Sequence, residues 1–167
     1  MTDQTKQTKQ TLKNTNDIFD QEEPAHLIIS KINNSIYLGS FENAYEPSDE
    51  FKALKIDVII NCAIEVEYPE QSDYIVENFP IRDGDSLSFL ENMDRANDKI
   101  HYYLSRGKKI YLHCVRGVSR SPAILVYYLM SHKKFTYDRA VRFLKKMRPV
   151  ICINEEFETQ LRLIEEC

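Results

Sequence analysis

Polar residues dominate the first 24 positions, and the few apolar residues among them follow no helical or strand period. Such a segment cannot bury enough apolar surface to hold a fixed structure, so we predict a flexible polar tail over residues 1–24. From residue 25 onward, apolar residues recur in short runs and at helical spacing. Residues 25–167 are therefore predicted to form one domain, as expected for a chain of 167 residues.

Five short apolar runs are bounded by polar or turn-forming residues, which is typical of buried strands. Four later segments carry apolar residues at the spacing of helices. Strands that alternate with helices favour a parallel sheet, so the pattern predicts a single α/β domain with a central, mostly parallel sheet flanked by helices. The predicted strands cover residues 27–29, 36–38, 57–61, 74–76 and 110–112.

The predicted helices begin at recognisable residues. The first begins at Ser88, within a capping-box sequence, and the second follows Pro122 and is apolar almost throughout. The third begins near Thr136 and is ended by Pro149, because proline cannot continue a helix. The last has Asn154 as its N-cap, followed by three acidic residues that suit a helix N-terminus.

Charge is unevenly distributed along the chain. The whole sequence has 22 Lys and Arg against 26 Asp and Glu, a formal net charge of −4. Residues 101–150 alone hold 12 Lys and Arg and a single acid, Asp138. A concentrated basic block in an otherwise acidic protein predicts an anionic substrate or partner for part of that block.

Other features narrow the class of protein. No apolar run approaches the roughly 20 residues of a membrane span, so no transmembrane helix is expected. The first residues contain no apolar core of a secretory signal, and the four cysteines lack the spacing of a metal-binding knuckle. We therefore expect a cytoplasmic protein, with a nuclear location also open, that keeps its thiols reduced and uses no metal or other cofactor.

One segment combines residues that can bind an anionic group beside a cysteine thiolate. Residues 113–121 read His-Cys-Val-Arg-Gly-Val-Ser-Arg-Ser and join a predicted strand to a predicted helix. The N–H groups of a tight loop and of a helix N-terminus can converge there on one anion, and Gly117 permits the bend. The same environment favours the thiolate of Cys114, and the planar guanidinium of Arg120 can bind two phosphate oxygens.

This segment resembles the His-Cys-x5-Arg-Ser signature of the cysteine-dependent protein tyrosine phosphatases. The string Gly-Val-Ser-Arg-Ser-Pro is most similar to the dual-specificity phosphatases, and the resemblance extends over roughly residues 27–166, through residues 36–40, 59–61 and 154–161. Ile153 stands where the family usually has proline, a change expected to affect the turn rather than activity. The chain is thus identified as a small, atypical dual-specificity phosphatase, which we expect to lack a separate kinase-docking domain.

The resemblance implies a two-step phosphoryl transfer that needs no metal ion. Cys114 attacks phosphorus to form a phosphocysteine, while Arg120 and the loop amides hold the phosphate oxygens. Asp83 protonates the leaving group and later accepts a proton from water, and Ser121 assists departure of the thiolate. His113 orients the loop and helps to set the pKa of Cys114. The residues implied to form the phosphate loop are Val115, Arg116, Gly117, Val118, Ser119 and Arg120.

Three assignments stay open. The family's usual spacing between its acid and the next helix favours Asp83 over Asp85, and Asp85 is then a loop or helix-start residue. Cys62, at the end of a predicted strand, either forms a reversible disulfide with Cys114 during oxidation or is a small core residue. Arg116 either adds charge at the pocket rim or points to solvent.

The resemblance implies a phosphorylated protein as substrate, carrying phosphotyrosine and phosphoserine or phosphothreonine, and no nucleic acid partner. Two alternatives remain: a phosphatase of a phosphoinositide or an RNA 5′-phosphate, and a pseudophosphatase that only binds phosphoproteins. Relatives that act on inositol phosphates tend to have Lys or Arg where this chain has Val115 and Val118, which weighs against that substrate. The oligomeric state does not follow from the sequence.

Overall fold

The sheet is built from five strands within residues 23–167, which are the residues that the computed structural model describes; residues 1–22 of the predicted tail lie outside them. The strands are β1 (Ser30–Lys31), β2 (Ile36–Gly39), β3 (Val58–Asn61), β4 (Ile75–Asn78) and β5 (Ile110–His113). Their order is β1-β2-β5-β3-β4, and every neighbouring pair is parallel except β1 with β2. The predicted α/β fold with a mostly parallel central sheet is confirmed.

Helices cover both faces of this sheet. Two short ones lie on one face, and four longer ones pack together on the other. None of the helices in the described part of the chain is long and apolar enough to cross a membrane. The helices are α1 (Phe41–Tyr45), α2 (Asp49–Ala53), α3 (Ser86–Leu104), α4 (Arg120–Lys133), α5 (Tyr137–Met147) and α6 (Glu155–Glu166).

Burial on both faces explains why the central strands are apolar without alternation. In β3, Val58 and Ile60 join the core beneath α3 to α6, whereas Ile59 faces the smaller core beneath α1 and α2. In that smaller core, Tyr111 of β5 packs edge-on against Phe51 of α2, with ring centroids 4.9 Å apart. The two central strands are thereby held from both sides, which fixes the loops at their carboxyl ends.

The structure corrects two local predictions. Residues 27–29 do not form a strand: Ala25–Leu27 is a short 3-10 helix, and the strand begins at Ser30. The carbonyls of His26 and Ile28 accept hydrogen bonds from the Arg148 side chain and not from a neighbouring strand. The long helix starts at Ser86 and is capped by Asp85, so Ser88 is not its N-cap. The Ser88 hydroxyl accepts the Arg82 N–H at 2.9 Å instead.

The carboxyl ends of β3 and β5 meet at one edge of the sheet, where Asn61 pairs with His113. The Cys62 N–H donates to the His113 carbonyl at 2.8 Å and extends this pairing past the strand ends. Since α4 begins only seven positions after His113, at Arg120, the intervening loop must turn sharply. Ligand sites of parallel sheets form at such strand ends, and the predicted phosphate loop lies there.

Candidate active site

The loop of residues 114–119 joins β5 to α4 and depends on glycine at residue 117. Gly117 has φ +67°, a conformation that other residues rarely adopt. A Cβ at this position would lie 2.2 Å from the Gly39 carbonyl oxygen, so the loop also has no room for a side chain there. The turn directs the Gly117 N–H to the Cys114 Sγ, at 3.3 Å.

Cys114 lies on the floor of this loop and is 3% exposed. Burial raises the pKa of its thiol, but the Ser121 hydroxyl and N–H, the charge of Arg120 and the Gly117 N–H act in the opposite direction and outweigh it. The pKa of Cys114 is therefore lower than that of an ordinary cysteine. The Ser121 Oγ lies 3.4 Å from the sulfur, which suits the implied role of this hydroxyl as a donor to the thiolate.

His113 lies behind the nucleophile and does not reach the pocket. Its Nδ1 lies 2.7 Å from the Cys114 carbonyl oxygen, and its Nε2 lies 2.8 Å from the Tyr68 hydroxyl. Burial lowers the pKa of His113 to about 4, so the ring is neutral at pH 7. Because a carbonyl only accepts, Nδ1 carries the proton, and Nε2 accepts from Tyr68. This chain of hydrogen bonds fixes the backbone that carries the sulfur.

Arg120 is 5% exposed at the start of α4, and its guanidinium is held along one edge. Its Nη1 donates to the Glu65 carboxylate at 2.5 Å and to the Ile81 carbonyl at 3.0 Å. Partial burial opposes ionisation of Glu65, yet the hydrogen bond and charge of Arg120, with the charge of Arg82, hold the pKa of this carboxyl below its usual value. No acceptor within residues 23–167 binds Nε or Nη2 of Arg120. The edge of the guanidinium formed by these two nitrogens is therefore available for two phosphate oxygens.

The two acidic candidates have different surroundings. Asp83 lines the same pocket of about 530 Å³ as Cys114 and Arg120, and its Oδ1 accepts from the Asn154 Nδ2 at 2.9 Å. Asp85 turns to the helix, where its carboxylate accepts the Leu87 N–H at 3.1 Å. Asp83 thus lies in the pocket, where a general acid would have to be, whereas the Asp85 carboxylate caps α3.

Asn154 links three parts of the site. Its side-chain oxygen accepts the Phe157 N–H at 2.9 Å, which confirms it as the N-cap of α6. Its backbone N–H and its Nδ2 both donate to the Ser119 Oγ, at 2.9 and 3.1 Å. The same Nδ2 binds Asp83. Asn154 therefore holds the acidic loop and the phosphate loop at a fixed separation, a function that its capping pattern did not indicate.

The other predicted residues lie around the pocket. Val115, Val118 and Ser119 line it, and so does the exposed Arg116, at its rim. Cys62 is fully buried and its thiol is free, as is that of Cys114. Burial and the neighbouring Cys114 raise the pKa of Cys62 well above its ordinary value. Its disulfide with Cys114 stays a prediction.

Sequence reasoning missed Glu65 and Tyr68. Both lie in the loop after β3, at the same sheet edge as the phosphate loop. Their only signal in the sequence was this position after a predicted strand. Among the described residues, no three His, Cys, Asp or Glu side chains cluster as metal ligands would.

A profile of the dual specificity phosphatase catalytic domain matches residues 36–167. The chain therefore belongs to the dual specificity phosphatases, a family of cysteine-dependent phosphoric monoester hydrolases, and the predicted resemblance is confirmed. Protein 123R of Invertebrate iridescent virus 6 is 29% identical over 136 residues, which cover 81% of this chain and 91% of the relative. Human dual specificity protein phosphatase 1 is 31% identical over 132 residues, covering 78% of this chain but 35% of that longer relative.

Solved structures show the same fold. The crystal structure of human DUSP28 aligns with a TM-score of 0.73 at 22% identity, covering 86% of this chain and 95% of the other. Human tyrosine phosphatase-like serine/threonine/tyrosine-interacting protein also aligns with a TM-score of 0.73, at 23% identity, covering 83% of this chain and 95% of the other. At these identities the likeness concerns the fold alone.

The Glu65 carboxylate is expected to position Arg120 for anion binding. In Glu65→Ala, a nearly buried guanidinium loses one of two acceptors on Nη1, which costs roughly 1–3 kcal/mol, or about 5- to 150-fold in affinity. We expect weaker inhibition by vanadate, measured as a competitive inhibition constant. Glu65→Gln keeps an acceptor and should lose less.

Glu67→Gln, an exposed neighbour in the same loop, is the control and should behave as the parent chain. Tighter vanadate binding in Glu65→Ala would contradict this interpretation, because it would mean that Glu65 competes with the phosphate group for Arg120.

Proposed function

We propose that this chain hydrolyses phosphoproteins, at phosphotyrosine and at phosphoserine or phosphothreonine, through a phosphocysteine formed at Cys114. The observation that carries the proposal is the position of Cys114. Its thiol has a lowered pKa and lies in one pocket with Arg120, whose free edge suits phosphate, and with Asp83.

In the first step, the Cys114 thiolate forms a bond to phosphorus as the bond from phosphorus to the leaving oxygen breaks. Arg120 and the loop N–H groups stabilise the charge on the equatorial oxygens. Asp83 gives its proton to the leaving oxygen, so that the product departs as a neutral phenol or alcohol and not as an unstable anion.

In the second step, a water molecule attacks phosphorus, and the bond between sulfur and phosphorus breaks. Asp83, now a carboxylate, takes a proton from this water. The Ser121 hydroxyl donates to the departing sulfur and stabilises it as a thiolate, in line with its position beside Sγ. The products are inorganic phosphate and the enzyme in its starting state.

The alternatives are less well supported. A pseudophosphatase would not need an acid in the pocket, and the pocket here holds Asp83 beside Cys114 and Arg120. For inositol phosphates, extra cations on the loop would be expected, and Val115 and Val118 line the pocket instead. A cytoplasmic location, the absence of a nucleic acid partner and the domain boundary at residue 25 stay predictions.

The proposal predicts turnover of p-nitrophenyl phosphate in the presence of a chelator, with inhibition by vanadate. Cys114→Ser should abolish turnover, because a serine hydroxyl is a far weaker nucleophile at neutral pH than a thiolate. Cys167→Ser, an exposed cysteine at the end of α6, is the matched control and should retain full activity. Phosphotyrosine and phosphothreonine peptides then test the substrate class.

A folded protein that binds vanadate but never releases product would reject the enzyme and support the pseudophosphatase. Folding is checked by circular dichroism, so that loss of activity is not mistaken for loss of structure.

The acid is expected to be Asp83 and not Asp85. Asp83→Asn should lower kcat on a poor leaving group such as phenyl phosphate by about 10²- to 10⁴-fold, with a smaller loss on p-nitrophenyl phosphate. Asp85→Asn should change kcat little, because asparagine caps a helix about as well as aspartate. The leaving-group dependence is measured by steady-state kinetics, and a large loss in Asp85→Asn alone would exchange the two assignments.

A further inference from the structure

Arg148 lies directly after α5 and is 1% exposed, although it lines no part of the pocket over Cys114. Its guanidinium makes five hydrogen bonds, which satisfy all five of its N–H donors. The acceptors are the Gly117 carbonyl at 2.8 Å, the Arg116 carbonyl at 3.0 Å, the His26 carbonyl at 2.8 Å, the Ile28 carbonyl at 2.5 Å and the Ser30 Oγ at 3.1 Å.

This arginine is a buried cation without an acidic partner. No carboxylate within residues 23–167 forms a salt bridge with it, and its charge is met by neutral oxygens alone. A buried charge is costly unless it is fully hydrogen-bonded. An apolar residue could fill the same volume, so the geometry of the five bonds points to a role beyond packing.

Two of these bonds determine where the phosphate loop points its N–H groups. In a trans peptide the C=O and the following N–H point in opposite directions. Arg148 binds the Arg116 carbonyl from behind the loop, and the next N–H, that of Gly117, donates to the Cys114 Sγ. Arg148 also binds the Gly117 carbonyl, so the Val118 N–H of the same peptide group points away from Arg148.

The other three bonds reach the segment of residues 26–30, which precedes and begins β1. This segment runs from the short 3-10 helix to the first residue of β1, and the Asn43 side chain holds it against α1 through the Leu27 carbonyl, at 2.8 Å. One edge of the Arg148 fork therefore depends on residues near the N-terminal end of the domain. A displacement of that segment would leave buried N–H donors without acceptors and release the fork.

We propose that Arg148 is a positioning residue for the phosphate loop and that it forms, together with residues 26–30, a brace behind this loop. A displacement of residues 26–30 is thereby transmitted to Cys114. The inference rests on the proposed function, since it concerns the loop that binds phosphate. Arg148 touches neither substrate nor sulfur. It acts through the direction of two peptide groups.

The test uses the full chain with two readouts that do not require turnover: the pH dependence of Cys114 alkylation by iodoacetate, and the affinity for vanadate. Arg148→Lys keeps the charge but loses the planar fork. We expect its alkylation midpoint to move to higher pH and vanadate to bind about tenfold more weakly. Ser30→Ala removes one acceptor and should shift both readouts in the same direction, by about two- to threefold in affinity. Arg142→Lys, exposed on α5, is the control and should shift neither.

A lower melting temperature in Arg148→Lys, with an unchanged alkylation midpoint and unchanged vanadate affinity, would overturn the proposal and leave Arg148 a purely structural residue. If Arg148→Lys does not fold, Ser30→Ala decides, and unchanged readouts there overturn it equally. The parent chain could bind vanadate without turnover while the variants change the alkylation midpoint and the vanadate affinity as expected. That result would reject the proposed hydrolysis and support the proposed role of Arg148.

Discussion

A negative charge at the floor of the loop after β5 is stable only because a hydroxyl, N–H groups and one guanidinium surround it where little water reaches. Cys114 is almost fully buried, and burial alone would keep its thiol protonated. The Gly117 N–H, the Ser121 hydroxyl and the charge of Arg120 reverse that preference. The same donors suit a phosphate group above the sulfur, so one arrangement serves both the nucleophile and its target.

The donors need a rigid support, and polar side chains behind and beside the loop supply it. His113 and Tyr68 fix the Cys114 carbonyl, Asn154 ties Ser119 to Asp83, and Arg148 binds two carbonyls of the loop from behind. Such buried networks are costly when a partner is missing and rigid when every partner is present. The site therefore depends also on residues outside the pocket, such as His113 and Arg148, that never contact substrate.

Much of the fold could be predicted because apolar runs and helix caps are local signals. The runs in β3 and β5 and the caps at Thr136 and Asn154 were recognisable without tertiary information. The strand predicted at residues 27–29 was wrong, since the buried Arg148 takes up the carbonyls of that segment and no sequence pattern reveals a partner 120 residues away. The short helices α1 and α2 were missed because five residues carry little periodicity.

The site residues likewise divide into those that local sequence indicated and those that only the fold brings together. Residues 113–121 are contiguous, so their spacing alone indicated an anion site, and the resemblance assigned their roles. Glu65 lies in the loop after β3 and meets Arg120, at the start of α4, only in the folded chain. The charge count of residues 101–150 could not distinguish Arg120, which faces the pocket, from Arg148, which is buried behind the phosphate loop.

The central claim is that this loop stabilises an anion at Cys114, and the pKa of that thiol measures it most directly. The rate of alkylation of Cys114 by iodoacetate, followed by peptide mass spectrometry across pH, gives the midpoint of thiolate formation. We expect a midpoint clearly below that of a free cysteine, and protection of Cys114 by vanadate. A midpoint at or above that of a free cysteine, without protection, would contradict it.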